Sequence, residues 1–314
     1  MHRLFKDSPA RRSIFKELTG CVLFPKKFCA IRWVENAIVL ERALTVWPHV
    51  CKFVLEVTPK PTSEAFYGVQ VASSDKCVVA KMEFIRSCAT LVEPFLRKFQ
   101  SSQPMAPFLY QELYDILLAI LRRFVKQSVL NKTSLQKMKD LDLSDVSGNL
   151  LPMKEVDVGI GASVALKKHN ITESQRVSFF TDCRQFLRAM TKKLFERCPV
   201  QYPLVRGVSS LSPKFALDNV ELSIKRFTMV LELLCKVGRV ESTAADKAKT
   251  QYCQLLNSEA FQTSAFTFSA SNRLDNFYAV LLNDKVLSTF LPNISVFMSF
   301  VTVHFRMNSR TYGA

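Results

Sequence analysis

Apolar residues recur along this chain at alternating steps of four and three, and that spacing constrains its fold more than any other feature. Trp33, Ala37, Leu40, Leu44 and Trp47 fall on one side of a 3.6-residue helix, as do Leu109, Leu113, Ile116, Ile120 and Phe124. The same pattern returns in Phe180, Cys183, Leu187, Met190 and Leu194, and in Val220, Ile224, Phe227, Leu231 and Leu234. Leu274, Phe277, Tyr278, Leu281 and Leu282 form a last stripe. The region 77–100 also reads as helix, broken by Pro94, and Pro48 is expected to kink or end the first helix. No regular alternation of strand and helix signals interrupts the series, so a parallel sheet is not expected. The reading is an all-α chain, an irregular multi-helix domain with an extended or poorly ordered C-terminal tail.

Composition agrees with a packed core. Hydrophobic residues make up 48% of the 314 positions and there are only 8 glycines, which excludes collagen-like and generally disordered classes. Loops are expected at Thr58 to Ser63, Ser101 to Pro104, Ser147-Gly148-Asn149 and Ser209 to Pro213. Gly238 lies where a helix C-terminal cap belongs. Ser258 to Ser271, rich in Ser, Thr and Phe, reads as a flexible connection. Four segments follow: a flank over 1–31, a helical domain over 32–257, a linker and short helix over 258–285, and an apolar tail over 286–314.

The nine cysteines form no Cys-x-x-Cys pair, and several lie inside apolar helical patterns, as free thiols in a reducing compartment would. The four histidines are not spaced with one another or with cysteine as zinc ligands, so no metal is expected. The first twenty residues are basic but carry Asp7 and Glu17 and lack an apolar run, unlike a secretion signal. From Val286 to Phe305 the chain is uncharged and about as long as a membrane span. Ser288, Thr289, Pro292, Asn293, Ser295, Ser299, Thr302 and His304 interrupt it, so strand or tail is the better reading and a membrane is not an expected partner. An intracellular site, nuclear or cytoplasmic, is the expectation.

Gly159-Ile160-Gly161 follows a strand-like run, but Val164 stands where a dinucleotide fingerprint needs its third glycine. A turn before a helix explains the two glycines better, and no cofactor is expected. No nucleophile elbow, Walker loop or His-Glu-x-x-His is present. The basic residues are more informative. Lys and Arg outnumber Asp and Glu by 43 to 27, a formal net charge of +16. Arg184, Arg188 and Lys192 repeat at steps of four on the polar side of one helix, where like charges repel. Arg122, Arg123 and Lys126 form a second cluster, and Lys225 with Arg226 a smaller one. Two readings stand: a solvated helix face, or contact with a nucleic-acid backbone. Trp33 is open in the same way, as a core residue of its stripe or as a base-stacking aromatic beside Arg32.

The run Phe28-Cys29-Ala30-Ile31-Arg32-Trp33-Val34-Glu35-Asn36 resembles the Arg-Trp segment of hAT-superfamily transposases and their domesticated relatives. Further segments follow in similar order: Pro94-Phe95-Leu96, Pro107-Phe108-Leu109, Leu151 to Asp157, Tyr202 to Arg206 and Arg273 to Tyr278. The resemblance covers roughly residues 1–290 and implies the long helical insertion of that family. Its transposases cut DNA with an Asp-Asp-Glu triad on two metal ions. The two aspartates belong upstream of the Arg-Trp segment, where only Asp7 lies, outside any matching motif. The glutamate belongs after the Leu-Asp-x-Phe-Tyr segment, whereas the last Glu here is Glu259. No catalytic residue can be placed, so no enzymatic activity is expected. The resemblance also implies that a tryptophan at the position of Trp33 can stack on a base. From about Leu287 the sequence departs from the family, which leaves its C-terminal dimerisation surface without a counterpart. DNA and protein partners both remain candidates.

Overall fold

The computed structural model describes residues 1–29, 33–101, 103–132, 135–168, 170–269 and 272–282. The 286–314 tail and Arg32 lie outside the described residues. Among the described residues the regular structure is helical, and the one extended pairing is an isolated antiparallel bridge between Val125 and Leu150. The helices are α1 (His2–Phe5), α2 (Pro9–Thr19), α3 (Asn36–Glu56), α4 (Glu64–Ser74), α5 (Val78–Lys98) and α6 (Ala106–Leu121). Two short turns follow, α7 (Gln127–Leu130) and α8 (Leu135–Met138), then α9 (Ile160–Lys168) and α10 (Glu173–Arg197). The last are α11 (Pro203–Val208), α12 (Pro213–Asp218), α13 (Val220–Lys236), α14 (Ser242–Leu256), α15 (Glu259–Thr267) and α16 (Leu274–Leu282).

Contacts divide the chain into two compact units. The first comprises Met1–Lys98, Ala119–Thr133 and Leu141–Lys193; the second Phe99–Leu118, Ser134–Asp140 and the chain from Leu194.

In the first unit the stretch read as a flank is part of the core. Phe5, Phe15, Phe24 and Phe53 interlock, with the Phe5 and Phe15 centroids 4.8 Å apart and Phe24 5.5 Å from each. Helix α3 packs on α5, and α5 on α9. Two sequence expectations are corrected here: Pro94 does not break α5, which runs to Lys98, and Pro48 does not end α3, which runs to Glu56. In α3, Val46 and Trp47 before the proline and Val50, Phe53 and Val54 after it are buried. A proline inside a helix costs about 3 kcal/mol. Burying each of those side chains returns about 1.5–3 kcal/mol, so continuing the helix wins. After Pro94 the last turn of α5 is held by Arg97, which donates to the Glu93 carboxylate at 2.6 and 2.8 Å. A third correction concerns the start of α3, at Asn36, so Trp33 precedes the helix whose stripe it shares.

The second unit is built around Phe227 and Tyr252, whose rings stack at 4.1 Å. The Tyr252 hydroxyl donates to the Ser210 carbonyl at 2.6 Å, and the Tyr278 hydroxyl to the Leu211 carbonyl at 3.0 Å. Both buried phenols thereby hold the 3-10 turn Ser209–Leu211. Gly207 lets α11 lie close on α13, because a Cβ there would come 2.4 Å from a Val230 methyl and 3.2 Å from the Arg226 carbonyl. Gly238, at φ +68°, caps α13 in the left-handed conformation expected of it. The stretch from Ser258 was expected to be a flexible connection. It holds α15 instead, because the Ser258 hydroxyl caps the Phe261 amide and Phe261 and Ala265 are buried.

Candidate nucleic-acid interface

The basic row of α10 survives folding. The buried side of this helix carries Phe179, Cys183, Leu187 and Thr191. Arg184 and Arg188 emerge half-buried and Lys192 exposed. Steps of four keep them within one strip of the helix surface, about 6 Å apart along its axis. Among the described residues none of the three makes a hydrogen bond or an ion pair. Arg188 does lie in the field of Asp142. The hydroxyl and amide of Ser144, and then Arg188, hold that exposed carboxyl below the usual range. The row is therefore positive, with one carboxylate near its middle.

The 122–126 cluster comes apart. Arg122 is exposed, but Arg123 is only 7% exposed and is not a surface residue at all. Its guanidinium donates from Nε to the Asp157 carbonyl at 2.9 Å, from Nη1 to Cys88 Sγ at 3.1 Å and from Nη2 to Ser87 Oγ at 3.0 Å. It also lies over the Phe84 ring, 5.3 Å from its centroid. The expectation that Arg123 meets nucleic acid is corrected by this geometry. The chain leaves α6 at Leu121, and the following turn sends Arg122 outward and Arg123 in. There Arg123 joins α5 to the segment that leads into α9, and the Asp157 amide returns a bond to the Arg123 carbonyl at 2.8 Å. Lys126 is half-buried and its Nζ donates to the Ser147 carbonyl at 2.5 Å. Arg226, in the second unit, also turns inward, 4.4 Å from the Phe215 centroid and 5.0 Å from that of Tyr110, with Nη1 on Ser209 Oγ at 2.6 Å.

Gly159 does what the failed fingerprint suggested. It takes φ +85° just before α9, and a Cβ there would meet the Ser87 side chain at 3.0 and 3.1 Å. The turn serves packing of α9 on α5.

Trp33 is half-buried, its ring 6.2 Å from that of Phe186, which meets Phe84 edge-on at 5.5 Å. The turn around it is clamped by the buried Asn36 side chain. Its Nδ2 donates to the Cys29 carbonyl at 2.7 Å, and its Oδ1 accepts from the Cys29 amide at 3.2 Å. Glu35, at φ +73°, takes the left-handed conformation that only glycine adopts freely. One side of Trp33 is thus committed to packing.

All nine cysteines are free thiols. Burial pushes Cys183 up to about 12 and Cys198 up to about 11. Among the described residues no group of three His, Cys, Asp or Glu side chains could hold a metal ion, and no helix is long and apolar enough to cross a membrane.

A further group of cations lies at the start of the chain, where the basic character of the first twenty residues was weighed only against a secretion signal. Seven Lys and Arg against two acids over residues 1–29 place +5 of the net +16 in under a tenth of the length. That local sum was the available signal. Comparison of the chain with family models, with curated proteins and with solved structures finds no match.

Proposed function

We propose that this chain is a non-catalytic helical protein derived from a hAT-like transposase, and that it binds nucleic acid through phosphate contacts without sequence preference. The observation that carries this reading is the α10 row: Arg184, Arg188 and Lys192 share a strip of the first unit and none is paired among the described residues. Like charges at that spacing cost a few tenths of a kcal/mol, and a polyanion would offset the cost. The ordered resemblance along the chain adds a DNA-handling ancestry, and the triad that ancestry would need has no place in the sequence. The test is binding to a labelled DNA duplex over a salt series. Affinity that falls steeply with salt supports the reading, and affinity indifferent to salt refutes it. Divalent-metal-dependent cleavage of that duplex would refute the non-catalytic part.

A second reading, a protein-interaction module, draws on α9. Ile160 and Val164 lie one turn apart and are 86% and 58% exposed, an apolar pair with no use in phosphate contact. Loss of a co-purifying partner on Ile160→Ser/Val164→Ser, with DNA binding unchanged, would separate this role from the first.

A further inference from the structure

The first 29 residues fold so that cations from three pieces of chain converge. Arg12 and Lys16, one turn apart on α2, lie over the same ring, 5.5 and 5.9 Å from the Phe24 centroid. Phe24 is itself held by Phe5 and Phe15, and Pro25 beside it is buried. That anchor lays the segment Phe24 to Phe28 against α1 and α2 and leaves Lys26, Lys27 and Phe28 exposed. The His2 side chain registers the resulting field. Burial, then Lys6 and Lys27, then the terminal ammonium and Arg12, hold its imidazole below the ordinary value, and no carboxylate acts in the other direction. Two acids lie in the stretch. Asp7 pairs with Lys6 at 3.7 Å with both side chains largely exposed, which is worth little, and Glu17 is exposed. Not every cation is available: Arg11 donates to the Leu4 carbonyl at 2.6 Å and Arg12 uses its Nε on the Phe5 carbonyl at 2.8 Å. Both bonds fix α2 on α1, and Arg12 still presents its outer edge to solvent.

We infer that this N-terminal surface, with Arg12 and Lys16 over Phe24 and with Lys6 and Lys27 on the adjoining segments, is a docking site for the phosphate backbone of a nucleic acid and supplies more of its contacts than α10 does. The inference rests on the nucleic-acid reading above and names the surface that performs it. Chemistry favours a polyanionic strand over a bilayer. An interfacial helix needs a broad apolar face to bury among lipids; α2 has Phe15 and Leu18 packed on the core and exposes only Ile14, with Val22 and Leu23 exposed on the segment after it, so its outer face is mainly cationic. Exposed Phe28, at the edge of the cluster, adds an aromatic face on which an unpaired base can stack.

The test compares three forms of the full chain by fluorescence anisotropy with a labelled 20-mer duplex from 50 to 200 mM NaCl. They are the wild type, Lys6→Ala/Lys16→Ala/Lys27→Ala, and Arg184→Ala/Arg188→Ala/Lys192→Ala. Each lost phosphate contact reduces the slope of log K against log salt by about 0.9, so the N-terminal variant should lose about 2.7. At the lowest salt it should bind at least tenfold more weakly, with the α10 variant less affected. Lys6→Arg/Lys16→Arg/Lys27→Arg should keep the wild-type slope, which separates loss of charge from loss of fold. The His2 imidazole gives a second readout: its NMR titration midpoint should rise when duplex binds, because phosphate favours the imidazolium. An N-terminal variant that binds like wild type while the α10 variant fails would overturn this inference and leave the nucleic-acid reading standing. A wild type that shows no salt-dependent binding to duplex overturns both. Wild type that binds phosphatidylserine vesicles and not duplex would reassign the surface to lipid, against the inference.

Discussion

Replacing Arg123 by alanine separates a structural role from a DNA-contacting one, because the two make opposite predictions. The side chain gives three hydrogen bonds, to the Asp157 carbonyl, Cys88 Sγ and Ser87 Oγ, and covers the Phe84 ring. Hydrogen bonds from a charged group are worth about 1.5–3 kcal/mol each. Truncation also releases the guanidinium from burial, which offsets a large part of that sum. The Asp157 carboxylate adds little, since it lies 3.8 Å away and is 63% exposed. A net loss of about 3 kcal/mol remains, including the cavity over Phe84. Arg123→Met should cost only about 1–2 kcal/mol, because its stem still covers the ring. It also leaves little unsatisfied: Ser87 keeps its own bond to the Phe84 carbonyl at 2.8 Å. Both tryptophans, Trp33 and Trp47, lie in the first unit, so their fluorescence reports urea unfolding of that unit. With m near 2 kcal/mol/M, Arg123→Ala should lower the midpoint by about 1.5 M. An Arg123→Ala protein with an unchanged midpoint and a weaker salt slope for DNA would refute the structural assignment.

Other substitutions test the local geometry. Gly159→Ala should destabilise the first unit by about 1–3 kcal/mol, from its positive φ and the contact with Ser87, whereas Gly161→Ala meets only the movable Glu83 carboxylate and should be tolerated; urea midpoints decide. Asn36→Ala removes both bonds to Cys29 and should cost about 2–3 kcal/mol in the same assay, with the emission of nearby Trp33 shifted to the red. The unfolded thiol of Cys183 ionises near 9.0 and the folded one near 12, so the unfolded chain loses its proton first and stability should fall as pH rises from about 9. Urea midpoints at pH 8 and pH 10 measure that, and alkylation at pH 8 should reach half-buried Cys21 well before Cys183.

Much of the fold was legible because helices announce themselves by period. The stripes ending at Leu194, Leu234 and Leu282 each found their helix, the one ending at Phe124 overran the end of α6 at Leu121, and Gly238 found its cap. The prolines misled because a local rule about one missing N–H says nothing of how much apolar surface lies on either side. The serine-rich stretch misled because Ser258 is a cap as readily as a linker residue. Long-range pairings left no local mark at all: Tyr252 reaches a carbonyl 42 residues away, and Tyr278 one 67 residues away. The candidate interface was legible only in part. Spacing of four guarantees that Arg184, Arg188 and Lys192 share a strip of their helix. Adjacency at Arg122 and Arg123, past the end of α6, guarantees nothing, and the two point to opposite environments. The N-terminal cations were missed because their convergence depends on Phe24 folding back over α2, which no period encodes.

The central claim, that the folded chain presents cations to a phosphate backbone, is tested most directly by the salt dependence of duplex binding to the unmodified protein. Engagement of the three α10 cations and the four N-terminal ones together gives a slope of log K against log salt of about −6. A slope near zero, or no binding at 50 mM salt, would contradict it.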